Sequence, residues 1–316
     1  MSLIVALDLG FGNVKGAADN GKFIVLPSRV AIPADRVGLA GIGMRTPRKA
    51  TRVAFEQYEF YVGGSAENRG WVVENLDFSR LASPELKALF YAAISELIPL
   101  GAEVRLVLGL PVPLLMDEVM ARSTLEALKA QLAREHAARI DGREIAFRVI
   151  AIRAAAQPVG AWADWALNEE GRPAGPAARL ALVGVIDIGL NTLDLYGVRG
   201  GQLEYRLVGG DQLGVRRLLD LIDRRRNYYE LDNQVRAGRI PSEAMATWMS
   251  ELLGAVNRAW RDVRPDLVLL VGGGALLLQD RVDAFRKATK AEVRIPDEPV
   301  LANARGLLKW GRAVKW

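Results

Sequence analysis

Two stretches far apart in the chain repeat one pattern: a hydrophobic strand, an aspartate, then a glycine turn that feeds a second strand. The first runs Ile4-Val5-Ala6-Leu7-Asp8-Leu9-Gly10-Phe11-Gly12-Asn13-Val14-Lys15-Gly16, and the second Leu182-Val183-Gly184-Val185-Ile186-Asp187-Ile188-Gly189-Leu190-Asn191-Thr192-Leu193-Asp194. An apolar run that ends in a carboxylate is costly unless the carboxylate meets water, a metal or a donor. A glycine-packed turn leaves backbone N–H groups bare, and such groups attract phosphate oxygens. Taken singly, each hairpin reads equally as a plain type I′ or II′ turn beside a capping aspartate. The pair, at corresponding places in two halves, points instead to two grips on a phosphate chain and its Mg²⁺.

The 316 residues are enough for two domains or one large two-lobed unit. With 50% hydrophobic and 25% charged residues, the composition is that of a packed chain rather than a disordered one. The net charge of +5 comes mostly from arginines spread along the sequence, apart from the run Arg224-Arg225-Arg226. Direct nucleic-acid binding normally shows clustered basic residues interleaved with aromatics, so the charge reads as solvated helix faces. There is no cysteine, which excludes disulfides and thiolate metal sites. The single histidine, His136, sits in a helical, charged neighbourhood and is expected at the surface. No Gly-x-Ser-x-Gly elbow accompanies it. Neither a signal peptide nor a membrane-spanning run is expected, and the reading by elimination is a cytoplasmic protein with no membrane partner.

Strands are expected over Leu3–Leu9, Asn13–Ala18 and Lys22–Pro27, the last two joined by the hairpin dipeptide Asn20-Gly21. Residues 28–52 show little periodicity, and Phe55–Gly63 returns to alternation. Ser83-Pro84-Glu85 opens a helix over 83–99. A buried strand, Val104–Leu108, is followed by a long charged helix, Leu114–His136, and a strand, Glu144–Ile152. A helix over Ala154–Asn168 and a polar loop to Ala177 lead to the second half. There the pattern predicts strands to Asp187, over Leu193–Val198 and over Gln202–Val208, helices over Leu213–Arg225 and Ser242–Val263, a buried strand Leu267–Val271, and a last helix around Ala302–Lys309. Each half thus starts with three antiparallel strands and continues with alternating helices and strands, a duplication at domain scale.

Mg²⁺ binds few carboxylates and keeps several waters, so Asp8 and Asp187 facing nucleotide phosphates suit it. The turns Gly10–Asn13 and Gly189–Thr192 would supply N–H donors, and Lys15 a positive charge. Gly272-Gly273-Gly274 follows a buried strand and opens a helical stretch, Ala275–Asp280, which permits close approach of a flat or charged group, although glycine triplets also serve plain turns. A P-loop motif is absent, and a strand rather than a helix follows Gly10 and Gly12, which argues against a Rossmann site. Gln157, before Pro158, is either a residue that orients the attacking water or an N-terminal capping glutamine.

In this order the motifs resemble the actin-like ATPases of the actin, sugar-kinase and DnaK-type superfamily, and within it the ParM/StbA plasmid-segregation group and its archaeal relatives. Leu7–Lys15 resembles the first phosphate motif and Val185–Asp194 the second, Leu269–Gly274 the adenosine motif, Ala156–Ala161 the first connecting helix and Ala302–Gly306 the second connecting segment. Tyr61–Ala66, Leu108–Val112 and Gly209–Gly214 narrow the likeness to the ParM branch. The resemblance implies an α/β, ribonuclease H-like duplicated fold, with domain I formed by 1–157 and 300–316 and domain II by 158–299, and a nucleotide cleft between two lobes. It implies that Asp8 and Asp187 serve Mg²⁺ and its water, that Gln157 positions the nucleophile, and that ATP or GTP is held by Gly10, Phe11, Gly12, Asn13, Lys15, Gly189, Asn191, Thr192, Gly210, Gly272, Gly273 and Gly274. Asp194 reads as a brace of its hairpin, and neither Arg216 nor Arg217, near the expected base site, is assigned a contact. Leu190 departs from the family pattern, replacing the second glycine of the second phosphate turn, and is expected to tighten that turn.

The implied function is an ATPase that polymerises with copies of itself, driving plasmid segregation through a DNA-binding adaptor without touching DNA. A small-molecule kinase on the same fold and a non-polymerising nucleotide switch are the alternatives. A chaperone would need a substrate-binding domain after the second connecting segment. The stretch Gly38–Arg52, with Met44, lies where actin-like proteins place an intersubunit loop, and reads equally as a solvated loop.

Overall fold

The computed structural model describes residues 2–34, 50–74, 77–225 and 228–316. The chain divides into two compact units, each with its own sheet. One comprises Met1–Leu110, Asp117–Ala155 and Val314–Trp316, the other Pro111–Met116 and Ala156–Ala313. Residues 300–313, part of the 300–316 stretch grouped with the first half on sequence grounds, lie in the second unit.

The first unit holds strands β1 (Leu3–Leu9), β2 (Asn13–Ala18), β3 (Phe23–Pro27), β4 (Val30–Pro33), β5 (Thr51–Phe55), β6 (Tyr58–Val62), β7 (Gly70–Val72), β8 (Glu103–Leu110), β9 (Glu135–Ile140) and β10 (Arg143–Ala156). They form a ten-stranded sheet in the order β3-β2-β1-β8-β10-β9-β5-β6-β4-β7. Helix α1 (Pro84–Leu97) starts where Ser83 Oγ accepts from the Leu86 N–H at 3.3 Å and proline occupies the first turn. It packs on β2 because Gly16 is bare there: a Cβ on Gly16 would stand 2.7 Å from Leu97 Cδ1. Helix α2 (Val112–Met116) belongs to the second unit, and α3 (Glu118–Leu132) to the first.

The second unit adds α4 (Gln157–Ala166), α5 (Pro176–Leu180), β11 (Leu182–Ile188), β12 (Leu193–Arg199), β13 (Gln202–Leu203), β14 (Gly209–Asp211), α6 (Val215–Ile222), α7 (Tyr228–Arg236), α8 (Ser242–Ala259), β15 (Leu267–Val271), α9 (Val282–Thr289), β16 (Glu292–Arg294) and α10 (Ala302–Ala313). Its sheet runs β13-β12-β11-β15-β16, with β14 also paired to β12. Alternate residues of β11 enter opposite cores. Ile186 and Ile188 pack with Leu218, Trp248 and Leu252 of α6 and α8, whereas Val183 and Val185 pack with Ala161, Trp162 and Ala302 of α4 and α10. Asp187, in step with Val183 and Val185, therefore lies on the α4–α10 face.

The two sheets repeat one topology: β1 pairs antiparallel with β2 and parallel with β8, and β11 pairs antiparallel with β12 and parallel with β15. This agrees with the duplication legible in the sequence.

Elsewhere the structure corrects the pattern. The expected helix Leu114–His136 is broken at Asp117, whose side chain caps α3, and ends at Leu132, so His136 lies in β9 and is 4% exposed rather than on the surface. Residues 154–156 finish β10, and α4 starts only at Gln157. The expected strand Gln202–Val208 is strand only at Gln202–Leu203 before a 3₁₀ turn at Tyr205–Leu207. The low-periodicity stretch contains β4, and the helical stretch after the glycine triplet is 3₁₀ over Gly273–Arg281. Helices α5, α7 and α9 had no matching expectation. Residues 38–49 of the expected intersubunit loop, Met44 included, lie outside the described residues, as does Arg226; Thr51 and Arg52 open β5.

Candidate functional site

In the first unit, Asp8 is the penultimate residue of β1 and fully buried. Lys15 stands directly opposite on β2, and its Nζ donates to Asp8 Oδ2 at 2.9 Å. The Lys15 side chain keeps 11% exposure, so the pair is a nearly dry ion pair. The turn between the strands is anchored from outside. Ser28 Oγ donates to the Gly10 carbonyl at 2.7 Å, and the Ser28 N–H donates to the Gly12 carbonyl at 2.9 Å. A Cβ on Gly10 would stand 2.7 Å from the Asn13 carbonyl oxygen and 3.2 Å from Lys15 Nζ. Phe11 leaves the turn sideways, its ring 5.9 Å from that of Phe78.

In the second unit, Asp187 is the penultimate residue of β11 and 6% exposed. Asn303 Nδ2, from the first turn of α10, donates to its Oδ2 at 2.7 Å. Its other oxygen is flanked by Gly272, whose φ of 84° and missing Cβ let the backbone come close to Asp187 Oδ1. Asp194 stands opposite Asp187 on β12 and is 1% exposed. The turn is closed by the Gly189 N–H donating to the Thr192 carbonyl at 2.9 Å. It is bound to α6 through the Val215 N–H on the Gly189 carbonyl at 3.0 Å and the Arg216 N–H on the Leu190 carbonyl at 2.8 Å. Thr192 is buried and Asn191 half-buried.

Neither turn is of type I′ or II′, because Gly10, Gly12, Gly189 and Leu190 all avoid the left-handed region. Leu190 therefore introduces no backbone strain. Its side chain packs against the α6–α8 core, which is the physical reason a leucine fits where glycine was expected. Phe11 and Leu190 hold equivalent positions, each three residues after its aspartate, and both direct an apolar side chain into packing rather than into the turn.

Among the other residues read from sequence, Gln157 is the first residue of α4 and buried, while the cap position belongs to Ala156. Gly210 pairs with Asp194 through β14 and β12, and a Cβ there would meet Pro113 Cγ at 2.6 Å. Gly274 lies against Ile188 for want of a Cβ, whereas a Cβ on Gly273 would meet nothing within 4 Å. The second unit thus brings Asp187, Gly189, Asn191, Thr192, Gly210 and Gly272 to one end of β11, β12 and β15. The first brings Asp8, Gly10, Gly12, Asn13 and Lys15 to one end of β1 and β2.

Two contributors escaped the sequence reading. Ser28 opened a stretch without periodicity, and its anchoring role had no local signal. Asn303 lay in a motif recognised as a connecting segment, but its partner is 116 positions away.

Asp8 and Asp187 offer hard carboxylate oxygens, the donor type that suits Mg²⁺. Among the described residues no cluster of three or more His, Asp or Glu could hold an ion by itself. A magnesium ion bound through either of these carboxylates would complete its shell with phosphate oxygens and water. No helix among the described residues is long and apolar enough to cross a membrane.

Comparison with known proteins agrees with this architecture. Residues 6–160 match the family model of the actin-like protein N-terminal domain. An archaeal actin homolog from Thermoplasma volcanium is 26% identical over 96% of this chain and 97% of its own. Among solved structures, a 15-stranded ParM filament from Clostridium botulinum superposes with a TM-score of 0.74 at 20% identity, over 98% of this chain and 99% of that one. An archaeal actin homolog in complex with ADP superposes with a TM-score of 0.73 at 21% identity, over 97% and 98%. The fold is actin-like. This chain is similar in sequence to the archaeal actin homologs and in fold to the ParM proteins.

Proposed function

We propose that the protein is a Mg²⁺-dependent ATPase whose nucleotide state governs its assembly into filaments. The observation that carries this reading is the repeated hairpin: in both units a buried aspartate ends a central strand beside a turn rich in backbone donors. The resemblance to proteins that bind ADP and that form filaments adds to it. In this reading Gly10, Phe11, Gly12 and Asn13 of the first turn and Gly189, Asn191 and Thr192 of the second hold phosphates through backbone and side-chain groups. Lys15 adds positive charge, and Gly210 and Gly272–Gly274 border the nucleoside. Asp8 and Asp187 take the ion, which when bound neutralises phosphate charge. Gln157 orients the attacking water, a role that an amide fills without titrating. GTP is the competing nucleotide. The use proposed for the filament is segregation of plasmid or other DNA in the cytoplasm through a DNA-binding adaptor, this chain touching itself and the adaptor rather than DNA.

Light scattering after addition of Mg-ATP is the decisive experiment. A nucleotide-dependent rise at micromolar protein is expected, and its absence sinks the filament reading. Phosphate release without an added acceptor distinguishes an ATPase from a small-molecule kinase. Gln157→Ala is expected to spare nucleotide binding and slow hydrolysis; unchanged turnover removes Gln157 from the water-positioning role.

A further inference from the structure

The turn between β1 and β2 is held by a residue from outside its hairpin. Ser28 lies just beyond β3 and bonds the turn twice: its Oγ donates to the Gly10 carbonyl at 2.7 Å, and its N–H to the Gly12 carbonyl at 2.9 Å. No peptide bond among the described residues is cis, so the C=O and N–H of one peptide unit point to opposite sides. Drawing the Gly10 carbonyl towards Ser28 therefore turns the Phe11 N–H away from it, and drawing in the Gly12 carbonyl does the same for the Asn13 N–H. Glycine leaves ψ free at position 10, so the Gly10–Phe11 peptide depends on the hydroxyl for its orientation. Ser28 is itself held from behind. Its carbonyl accepts from Arg80 Nη2 at 2.9 Å, and Arg80 is 6% exposed. Arg80 belongs to the 3₁₀ turn Phe78–Ala82, which is fixed at its start by the Ser79 N–H donating to Asp77 Oδ1 at 2.9 Å. The same 3₁₀ turn sets Phe78 against the Phe11 ring. The second hairpin reaches a like result by other means: two N–H groups at the start of α6 take the Gly189 and Leu190 carbonyls, which turns the Leu190 and Asn191 N–H groups the other way.

We infer that Ser28 is a positioning residue for the first turn: its hydroxyl fixes the Gly10–Phe11 peptide so that the Phe11 N–H meets a phosphate oxygen of the bound nucleotide. The inference rests on the nucleotide-binding reading given above and adds to it a residue from outside both hairpins. Arg80 acts one step further back, by holding the Ser28 backbone. A backbone N–H on an ionised phosphate makes a charge-assisted bond, stronger than a neutral one and dependent on its direction. A side-chain change at Ser28 removes the hydroxyl contact and leaves the N–H contact to Gly12 in place.

Ser28→Ala in the full-length chain tests it, by direct titration with Mg-ADP and with adenosine, which carries no phosphate. A hydrogen bond to a charged group is worth roughly a factor of 10–100 in binding, and misdirecting the donor forfeits part of that. The expected result is a rise of about 10-fold in the Kd for Mg-ADP, with the Kd for adenosine within about twofold of the parent. Ser28→Thr, which keeps the hydroxyl, is expected to bind Mg-ADP more tightly than Ser28→Ala. Independently, hydrogen exchange at the Phe11 amide, slowed by Mg-ADP in the parent, should be slowed less in Ser28→Ala. Parent-like Mg-ADP affinity in Ser28→Ala, or equal losses for Mg-ADP and adenosine, overturns the positioning role. If Ser28→Ala does not fold, Ser28→Cys, close in size and a weak donor, decides by the same two affinities. A parent that binds Mg-ADP but releases no phosphate from Mg-ATP overturns the ATPase reading and leaves this comparison standing. A parent that does not bind Mg-ADP overturns both.

Discussion

Asp194 faces Asp187 across β11 and β12 at the register position where Lys15 faces Asp8 across β1 and β2. The two hairpins keep one backbone plan while carrying opposite charge at the equivalent site. Directly opposed residues of an antiparallel pair bring their Cβ atoms to about 4.5–5.5 Å, so the choice of partner dominates the local electrostatics. Asp8 meets a cation there, whereas Asp187 has Asp194 opposite it in the register and the Asn303 amide on its Oδ2.

The Asp8–Lys15 pair should be tightly coupled. Removing one partner of a buried pair costs about 3–5 kcal/mol, because the survivor is left as an uncompensated buried charge. Lys15→Met is therefore expected to lower the unfolding free energy by roughly 3 kcal/mol in urea. The double variant Asp8→Asn with Lys15→Met should recover a large part of that loss. A double-mutant cycle with no coupling would contradict the pair's role in the fold.

The crossing of α4 and α10 depends on two missing side chains. Gly160→Ala and Gly306→Ala each force a methyl into backbone carbonyl oxygen, and each should destabilise by about 1–3 kcal/mol or more. Gly273→Ala, where a Cβ would meet nothing within 4 Å, should leave stability within about 0.5 kcal/mol. Thermal melts of the three variants check this ordering.

Acid sensitivity should trace to His136. Burial is the main cause that holds its imidazole below the ordinary value of 6.5. Its Nε2 lies 2.9 Å from the Leu132 carbonyl and its Nδ1 3.1 Å from the Tyr91 hydroxyl, so the neutral ring donates to the first and accepts from the second. Burial likewise raises the Tyr91 hydroxyl to about 12, which keeps it a donor. Because the folded pKa lies below the unfolded one, the unfolded chain binds more protons between the two values, and stability rises with pH there. The contribution is complete above pH 6.5 and is lost as pH falls towards the folded value. Urea denaturation from pH 7.5 to 5 should show this decline. His136→Phe should be less stable at pH 7.5 by about 1–3 kcal/mol, from the lost hydrogen bonds, and flatter with pH.

Leu190 should be a packing residue. Leu190→Gly removes a half-buried side chain from the α6–α8 core and adds backbone freedom, at a cost of about 2 kcal/mol. Chemical denaturation checks it. A variant as stable as the parent would show that the leucine is idle.

The residue pattern alone determined the elements with local signals. Strands Leu3–Leu9, Asn13–Ala18 and Leu267–Val271 match the apolar runs and glycine punctuation that announced them. The sequence placed Lys15 and Asp194 on the strands leaving the two turns, but their positions directly opposite Asp8 and Asp187 come from the strand register. Partners brought from far along the chain were beyond it. His136 carried the composition of a surface helix, yet the ring stacks on Phe147 at 4.8 Å inside the core, since tertiary burial overrides weak helical propensity. Asn303 reads as one more polar residue at a helix start. Only the close passage of α10 over Gly160 sets its amide on Asp187, and that passage is a property of packed volumes rather than of any local pattern.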